Sequence, residues 1–238
     1  AFIDQGVWII STVYTYLCYT GDYSILDEVC GYYKFVGNTV QLCDKKDTVL
    51  DHLILITDYL ISNLDTDTGC LKALYGDWND ALDGLGKTTK EGQEFGNGVS
   101  VMASLQLYRN LAEMSDVLRK KGVNVSKAEE YLKVRAQLEK SLIKNAIVAN
   151  AEGERKILHG WGENRSWFVG SYCDNDGFSR DGLTASAYWI LSGMYKACGE
   201  LVPDILNAYA RLDSKYGLKT FEPYFSSAND KVGRINRL

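Results

Sequence analysis

VSVMASLQLYRNLAEMSDVLRKKG, residues 99–122, decides the fold class. Its apolar side chains recur at Val101, Met102, Leu105, Leu107, Tyr108, Leu111, Met114 and Leu118, a helical rather than a two-residue period. Gly122 then stands where a left-handed cap would end the helix. Downstream, Ser126 with Glu129 forms a capping-box signature, and Tyr131, Leu132, Val134, Leu138, Leu142 and Ile143 predict another long helix. Upstream, Asp47 or Thr48 can cap a helix through Leu50, Leu53, Ile54, Ile56, Leu60 and Ile61, ending near Asn63. Earlier still, Val7, Ile10, Val13, Tyr14 and Leu17 predict a helix over residues 6–19, with Gly21 as its cap. A shorter helix is predicted over residues 24–33, broken by Gly37 and Asn38. Two more are predicted over residues 183–198 and 203–216, the latter with Pro203 in its first turn.

Strand signals are few and short, so the fold class read here is all-α: paired helices joined by long, glycine-rich and aromatic loops at residues 65–98, 150–182 and 217–238. A toroid of helical hairpins suits this rhythm, and loops of that length inside a compact domain are functional or disordered. Trp78 and its apolar neighbours argue against disorder.

The 238 residues, 46% of them hydrophobic, are enough to bury a sizeable core. A net charge of -5 comes with only two short basic clusters, Lys45-Lys46 and Arg119-Lys120-Lys121, which read as solvated helix ends. Nucleic acid is therefore not an expected partner. No apolar run approaches the roughly 18 residues of a membrane span, and Asp4 interrupts anything resembling a signal peptide, so no membrane partner is expected. Cys18, Cys30, Cys43, Cys70, Cys173 and Cys198 are scattered, without metal-finger spacing to His52 or His159. Reduced thiols and a cytoplasmic location are the simplest account. A start at Ala1 and a stop after a loop read as a piece of a longer chain, residues 1–238 forming part of one catalytic domain.

Within the first long loop, Tyr75-Gly76-Asp77-Trp78-Asn79-Asp80-Ala81-Leu82-Asp83-Gly84 gathers three carboxylates, an amide and an indole. On composition alone this is first a cluster of Asx turns. Its chemical alternative is a sugar site. Inverting cleavage of a glycosidic bond needs one acid to protonate the leaving oxygen and a nucleophile on the opposite face of the sugar. A hydrolase activates water there with a second carboxylate, whereas a phosphorolytic enzyme uses inorganic phosphate and needs only the acid. Burial beside an indole such as Trp78 would help that acid keep its proton. Composition leaves Asp77, Asp80 and Asp83 as equal candidates. His52 reads as an ordinary helix residue, and His159, beside Gly160-Trp161-Gly162, as a loop residue with substrate contact as the alternative.

Gly76-Asp77-Trp78-Asn79-Asp80 resembles the G-D-W-N-D motif of the cellobiose and chitobiose phosphorylase family, glycoside hydrolase family 94, and of its β-glucan phosphorylase relatives. Further stretches are similar in the same order. Tyr19-Thr20-Gly21-Asp22-Tyr23-Ser24-Ile25-Leu26 resembles T-G-D-x-x-I-L; Trp167-Phe168 with Tyr172 and Asp174-Asn175-Asp176-Gly177 resembles W-F-x-x-x-Y-D-D-D-G with Cys173 inserted. Leu191-Ser192-Gly193, Tyr216-Gly217-Leu218 and Pro223-Tyr224-Phe225 are similar to later family segments.

The resemblance implies an (α/α)6 barrel and inverting phosphorolysis of β-linked gluco-oligosaccharides to α-glucose 1-phosphate, with no metal or organic cofactor. It implies Asp80 as general acid, and Trp78, Asp77, Asn79, Trp167 and Asp174 as residues of the sugar site. Oligosaccharide and phosphate would be the partners, and a homodimer the assembly. Two departures point to another acceptor or linkage: Ile3-Asp4-Gln5-Gly6 replaces the family's S-D-D, and Thr184-Ala185-Ser186-Ala187-Tyr188 replaces N-P-Q-x-W. The family's phosphate-binding histidine and glycine-rich loop would lie after Leu238, and its donor-site arginine before Ala1, so the resemblance implies that residues 1–238 alone form an incomplete, inactive site. The runner-up is an inverting hydrolase using Asp174, Asp176, Asp181 or Glu163 as base; a third reading is a non-catalytic carbohydrate-binding helical domain.

Overall fold

A computed structural model describes residues 2–79 and 84–225. Among them six α-helices carry the architecture: α1 (Asp4–Thr20), α2 (Val49–Ser62), α3 (Val101–Lys121), α4 (Val125–Asn145), α5 (Leu183–Leu191) and α6 (Val202–Leu212). Helix α3 packs against α1, α2, α4 and α5, and it is buried nearly all round, from Val101 to Leu118. A helix buried on nearly every side belongs in the interior, and the polar residues it carries there, Gln106, Asn110 and Glu113 among them, are buried with it. Helices α1, α3 and α5 are neighbours in a row, and α2, α4 and α6 each pack on their predecessor. Consecutive helices thus alternate between two layers.

Polar contacts pin the layers in register. Between α1 and α3, Asn110 donates to Ser11 Oγ (2.9 Å) and to Glu113 Oε2 (2.8 Å), while the Tyr14 hydroxyl donates to Asp116 (3.0 Å). Between α2 and α4, Lys127 Nζ and the Tyr131 hydroxyl both reach Asp58, at 2.8 and 2.9 Å.

The helix termini follow local chemistry. Thr48 and Asp51 form a reciprocal capping box on α2, and Gly21 and Gly122 take left-handed φ values of 67° and 74° to end α1 and α3. Three sequence expectations are corrected. Ser126 and Glu129 do not cap α4, which instead starts two residues earlier from Asn124. The helix expected over residues 183–198 stops at Leu191, because Gly193 turns left-handed (φ 87°) and two 3-10 turns follow. The helix expected over residues 24–33 is a 3-10 turn, Tyr23–Asp27, running into a strand.

That strand, β1 (Val29–Val36), pairs with β2 (Thr39–Thr48) as a hairpin closed by Gly37-Asn38, so the all-α class needs amending. Valine and aromatic side chains on either side of a Gly-Asn turn favour the pleated form over the helix. Tyr33, Phe35, Val40 and Leu42 share one face and are all exposed. Shorter strands brace the loops: β3 (Val99–Ser100), β6 (Gly160–Trp161) and β7 (Phe168–Val169) form a three-stranded sheet. The pairs β4 (Ile147–Ala149) with β5 (Arg155–Ile157), and β8 (Asp181–Gly182) with β9 (Phe221–Glu222), form two separate two-stranded sheets. Among the described residues no helix is long and apolar enough to cross a membrane.

Since Leu107 is fully buried in α3 and Leu206 is 59% exposed on α6, equal truncations should have unequal costs. Leu107→Ala should lower stability by about 3 kcal/mol and Leu206→Ala by less than about 0.5 kcal/mol, measured as shifts of the urea unfolding midpoint.

Candidate active site

The loop from Tyr75 to Gly84 is drawn closed at its base, where the Gly84 amide donates to the Tyr75 carbonyl at 2.5 Å. The ring of Phe2 meets Tyr75 edge-on at 5.1 Å, and the Ile3 amide donates to the Gly76 carbonyl (3.3 Å), so the start of α1 grips the loop. Asp80 to Asp83 lie outside the described residues, and with them the expected general acid.

Asp77 faces inward and is 1% exposed. Its Oδ2 accepts from the Ser100 hydroxyl (2.5 Å) and from His159 Nε2 (3.1 Å), and its Oδ1 accepts from the Asn79 amide (2.9 Å). His159 is itself fully buried, and its Nδ1 meets the Thr184 hydroxyl at 2.7 Å. Burial alone would raise the Asp77 pKa, but the His159 ring and the donors from Ser100 and Asn79 outweigh it and hold the carboxyl below its ordinary 3.8. Ser100 caps α3 and Thr184 lies in the first turn of α5, so two helix N-termini, which favour negative charge, flank this carboxylate.

Trp78, next in the chain, is 59% exposed, while Asn79 is buried again. The in-out-in alternation leaves an indole face presented to solvent from a fixed base. Trp167 is half-buried and packs on Ala73, Leu85, Val169, Phe221 and Phe225, a small apolar cluster directly beneath the loop. Gly162 is required there, since a Cβ would collide with the Trp167 indole.

Asp174, the other residue that the resemblance assigned to the sugar site, lies in the loop between β7 and β8. It is buried, accepts from the Gly170 and Ser171 amides at 3.0 and 2.7 Å, and pairs with Arg180 at 2.9 Å. Arg180, fully buried, also binds Asp176 (2.7 Å) and the Pro223 carbonyl (2.7 Å) and stacks on Phe225 at 3.7 Å. The other carboxylates considered as a hydrolytic base are also engaged. Asp181 lines a cavity of about 470 Å³ but is gripped by Arg211 at 2.6 and 3.0 Å and by Lys156 at 3.2 Å. Glu163 is held by Thr88 (2.8 Å) and Lys90 (3.1 Å).

Sequence reasoning missed Asp4. It is 5% exposed at the start of α1, and its Oδ2 accepts from the Trp8 indole nitrogen at 3.0 Å. Burial pushes its pKa above 3.8, and repulsion from Asp77 adds to this against the opposing indole hydrogen bond. The spacing of four residues between an acid and an indole at a helix start was the available signal. His159 lies in a loop, between β5 and β6, as the sequence suggested, but it is fully buried there. It is an interior residue, and the backbone crowding at Gly160, Gly170 and Gly182 explains the glycines around it.

Over residues 1–238 the chain matches the family model described as Glycosyl hydrolase 94 superfamily, catalytic domain. It is 31% identical over 235 residues to a solabiose phosphorylase from Paenibacillus borealis, covering 98% of this chain and 27% of that protein. It is 27% identical over 251 residues to an N,N'-diacetylchitobiose phosphorylase from Vibrio furnissii, covering 99% and 26% respectively. A third relative, a 3-O-beta-D-glucopyranosyl-beta-D-glucuronide phosphorylase from Paenibacillus borealis, is 27% identical over 241 residues, covering 98% and 27%. The chain thus spans about a quarter of the length of the curated relatives it matches, as the shares of 27% and 26% give.

With its folded pKa below 3.8, Asp77 stabilises the fold fully above that value and loses the contribution as pH falls through the folded pKa. Asp77→Asn should lower stability by about 3 kcal/mol at neutral pH, and the loss relative to the parent should shrink as pH is taken below 3.8, followed by chemical denaturation across pH.

Proposed function

Because the chain belongs to the glycosyl hydrolase 94 superfamily as part of its catalytic domain, we propose that the whole protein carries out inverting phosphorolysis of β-linked gluco-oligosaccharides, yielding α-glucose 1-phosphate. The observation that carries this reading is the Gly76-Asp77-Trp78-Asn79-Asp80 loop, with Asp77 locked in the interior and Trp78 turned outward. Asp80, one residue beyond the buried Asn79, is the general acid that protonates the leaving oxygen, and inorganic phosphate attacks the anomeric carbon from the opposite face. Trp78 offers an apolar face to a sugar ring. Asn79 and Trp167 shape the base of the site, and Asp77 and Asp174 act through the positions they fix. Asp4 adds a buried carboxyl beside the same loop, suited to a sugar hydroxyl.

The alternation of helices between two layers supports an (α/α)6 barrel, of which α1 to α6 would form three of the six hairpins. Relatives whose names specify solabiose, diacetylchitobiose and a glucosyl glucuronide act on different acceptors, so the acceptor of this protein is set by residues that vary among them. The replacement of N-P-Q-x-W by Thr184 to Tyr188 lies in that region. No metal or organic cofactor enters this reaction; phosphate is the co-substrate. A cytoplasmic homodimer completes the proposal.

Phosphorolysis is favoured over hydrolysis by one feature of the site. Asp174, Asp176, Asp181 and Glu163 are each committed to a cation or a hydroxyl, which leaves none of these four to activate water. Incubating the full-length protein with β-linked glucobioses should release glucose 1-phosphate only when phosphate is present. Asp80→Asn should reduce kcat at least about 100-fold. Release of reducing sugar at an equal rate without phosphate would establish the hydrolase, and full activity of Asp80→Asn would remove Asp80 as the acid.

A further inference from the structure

We infer that His159 is a positioning residue of this site: held by Thr184 and bonded to Asp77, it fixes Asp77 and Asn79, the residues that lead into Asp80 in the chain. The inference rests on the phosphorolytic reading and adds to it a residue that touches neither sugar nor phosphate. The chain of contacts is continuous. The Thr184 hydroxyl meets His159 Nδ1 at 2.7 Å, His159 Nε2 meets Asp77 Oδ2 at 3.1 Å, and Asp77 Oδ1 accepts the Asn79 amide at 2.9 Å. Asn79 is covalently joined to Asp80. Thus the backbone at Asn79 is held by a carboxylate to which the imidazole is one of three donors.

The imidazole has little freedom of its own. Its backbone amide donates to the Val169 carbonyl (2.9 Å), its carbonyl accepts from the Val101 amide (2.9 Å), and its ring lies 5.5 Å from Phe221. When Nε2 donates to Asp77, Nδ1 must accept, and the Thr184 hydroxyl is the donor that selects this tautomer. Ser100 on Oδ2 and the Asn79 amide on Oδ1 tie the carboxylate to α3 and to its own loop, and His159, as a second donor on Oδ2, ties it in addition to the start of α5. A displacement of about 1 Å at a catalytic group costs on the order of 100-fold in rate, which sets the size of the expected effect.

The test uses the full-length protein, glucobiose phosphorolysis, and amide hydrogen exchange of the segment 76–84. His159→Leu should lower kcat about 100-fold, leave KM for disaccharide and for phosphate within about threefold, and accelerate exchange in that segment while α4 stays protected. His159→Gln, whose amide can both donate to Asp77 and accept from Thr184, should recover at least about tenfold of the kcat lost by His159→Leu. Thr184→Val, which keeps the shape and removes the hydroxyl, should lower kcat about tenfold in a protein that folds as the parent does, and so decides the matter if His159→Leu does not fold. Unchanged exchange over 76–84 in Thr184→Val, with kcat within about threefold of the parent, would overturn the inference. So would a His159→Gln no faster than His159→Leu. If the parent shows no phosphate-dependent cleavage, the functional reading fails separately, and hydrogen exchange alone then decides whether His159 holds the loop.

Discussion

A carboxylate sealed from water must be met by donors, and Asp77 is met by the hydroxyl that caps α3, by an imidazole held at the start of α5, and by the amide of its own loop. These donors come from segments far apart in the chain, so satisfying one charge brings the ends of two helices and a loop to a common point. The start of α1 joins them through Ile3 and Phe2. Much of the local geometry follows from this requirement. Gly160 and Gly170 let backbones approach His159, and Gly86 lets the returning strand pass against Leu74.

With Asp77 turned inward, chain alternation turns Trp78 outward and Asn79 back in. The outward indole of Trp78 is therefore flanked on either side by buried residues, Asp77 and Asn79. The second cluster of charge, around Arg180, plays a related part for the loop from Ser171 to Arg180, tying it to the Pro223 and Tyr224 carbonyls. Acids in these loops are thereby divided. Some hold loops in place through cations and amides, and Asp4 keeps a raised pKa beside an indole. The helices supply a frame in which neither division has to be made by flexible side chains.

How much of this was legible varies with the kind of residue. Apolar periodicity located α1, α2 and α3 to within a turn, because burial of a helix face repeats along the chain and is written in local order. The hairpin was not legible, since Val29 to Val36 and Thr39 to Thr48 lack the strict alternation of a half-buried sheet; its exposed Tyr33 and Phe35 sit where a core-facing pattern would forbid them. Ser126 looked like a cap because Glu129 follows at the right spacing, yet Asn124 in a left-handed conformation begins the helix sooner. In the site, the motif marked the loop as a unit, but nothing local separates a buried aspartate from an exposed one.

By itself the sequence determined the helical frame and the family, because each is a property of neighbouring residues or of short ordered motifs. Only the tertiary structure decided which acids are anchors. Asp77 becomes one through Ser100, His159 and, at one remove, Thr184; Asp174 does so through Arg180. A side chain's charge is local, but its burial and its partners depend on chain segments up to 82 residues away, and no local pattern records them.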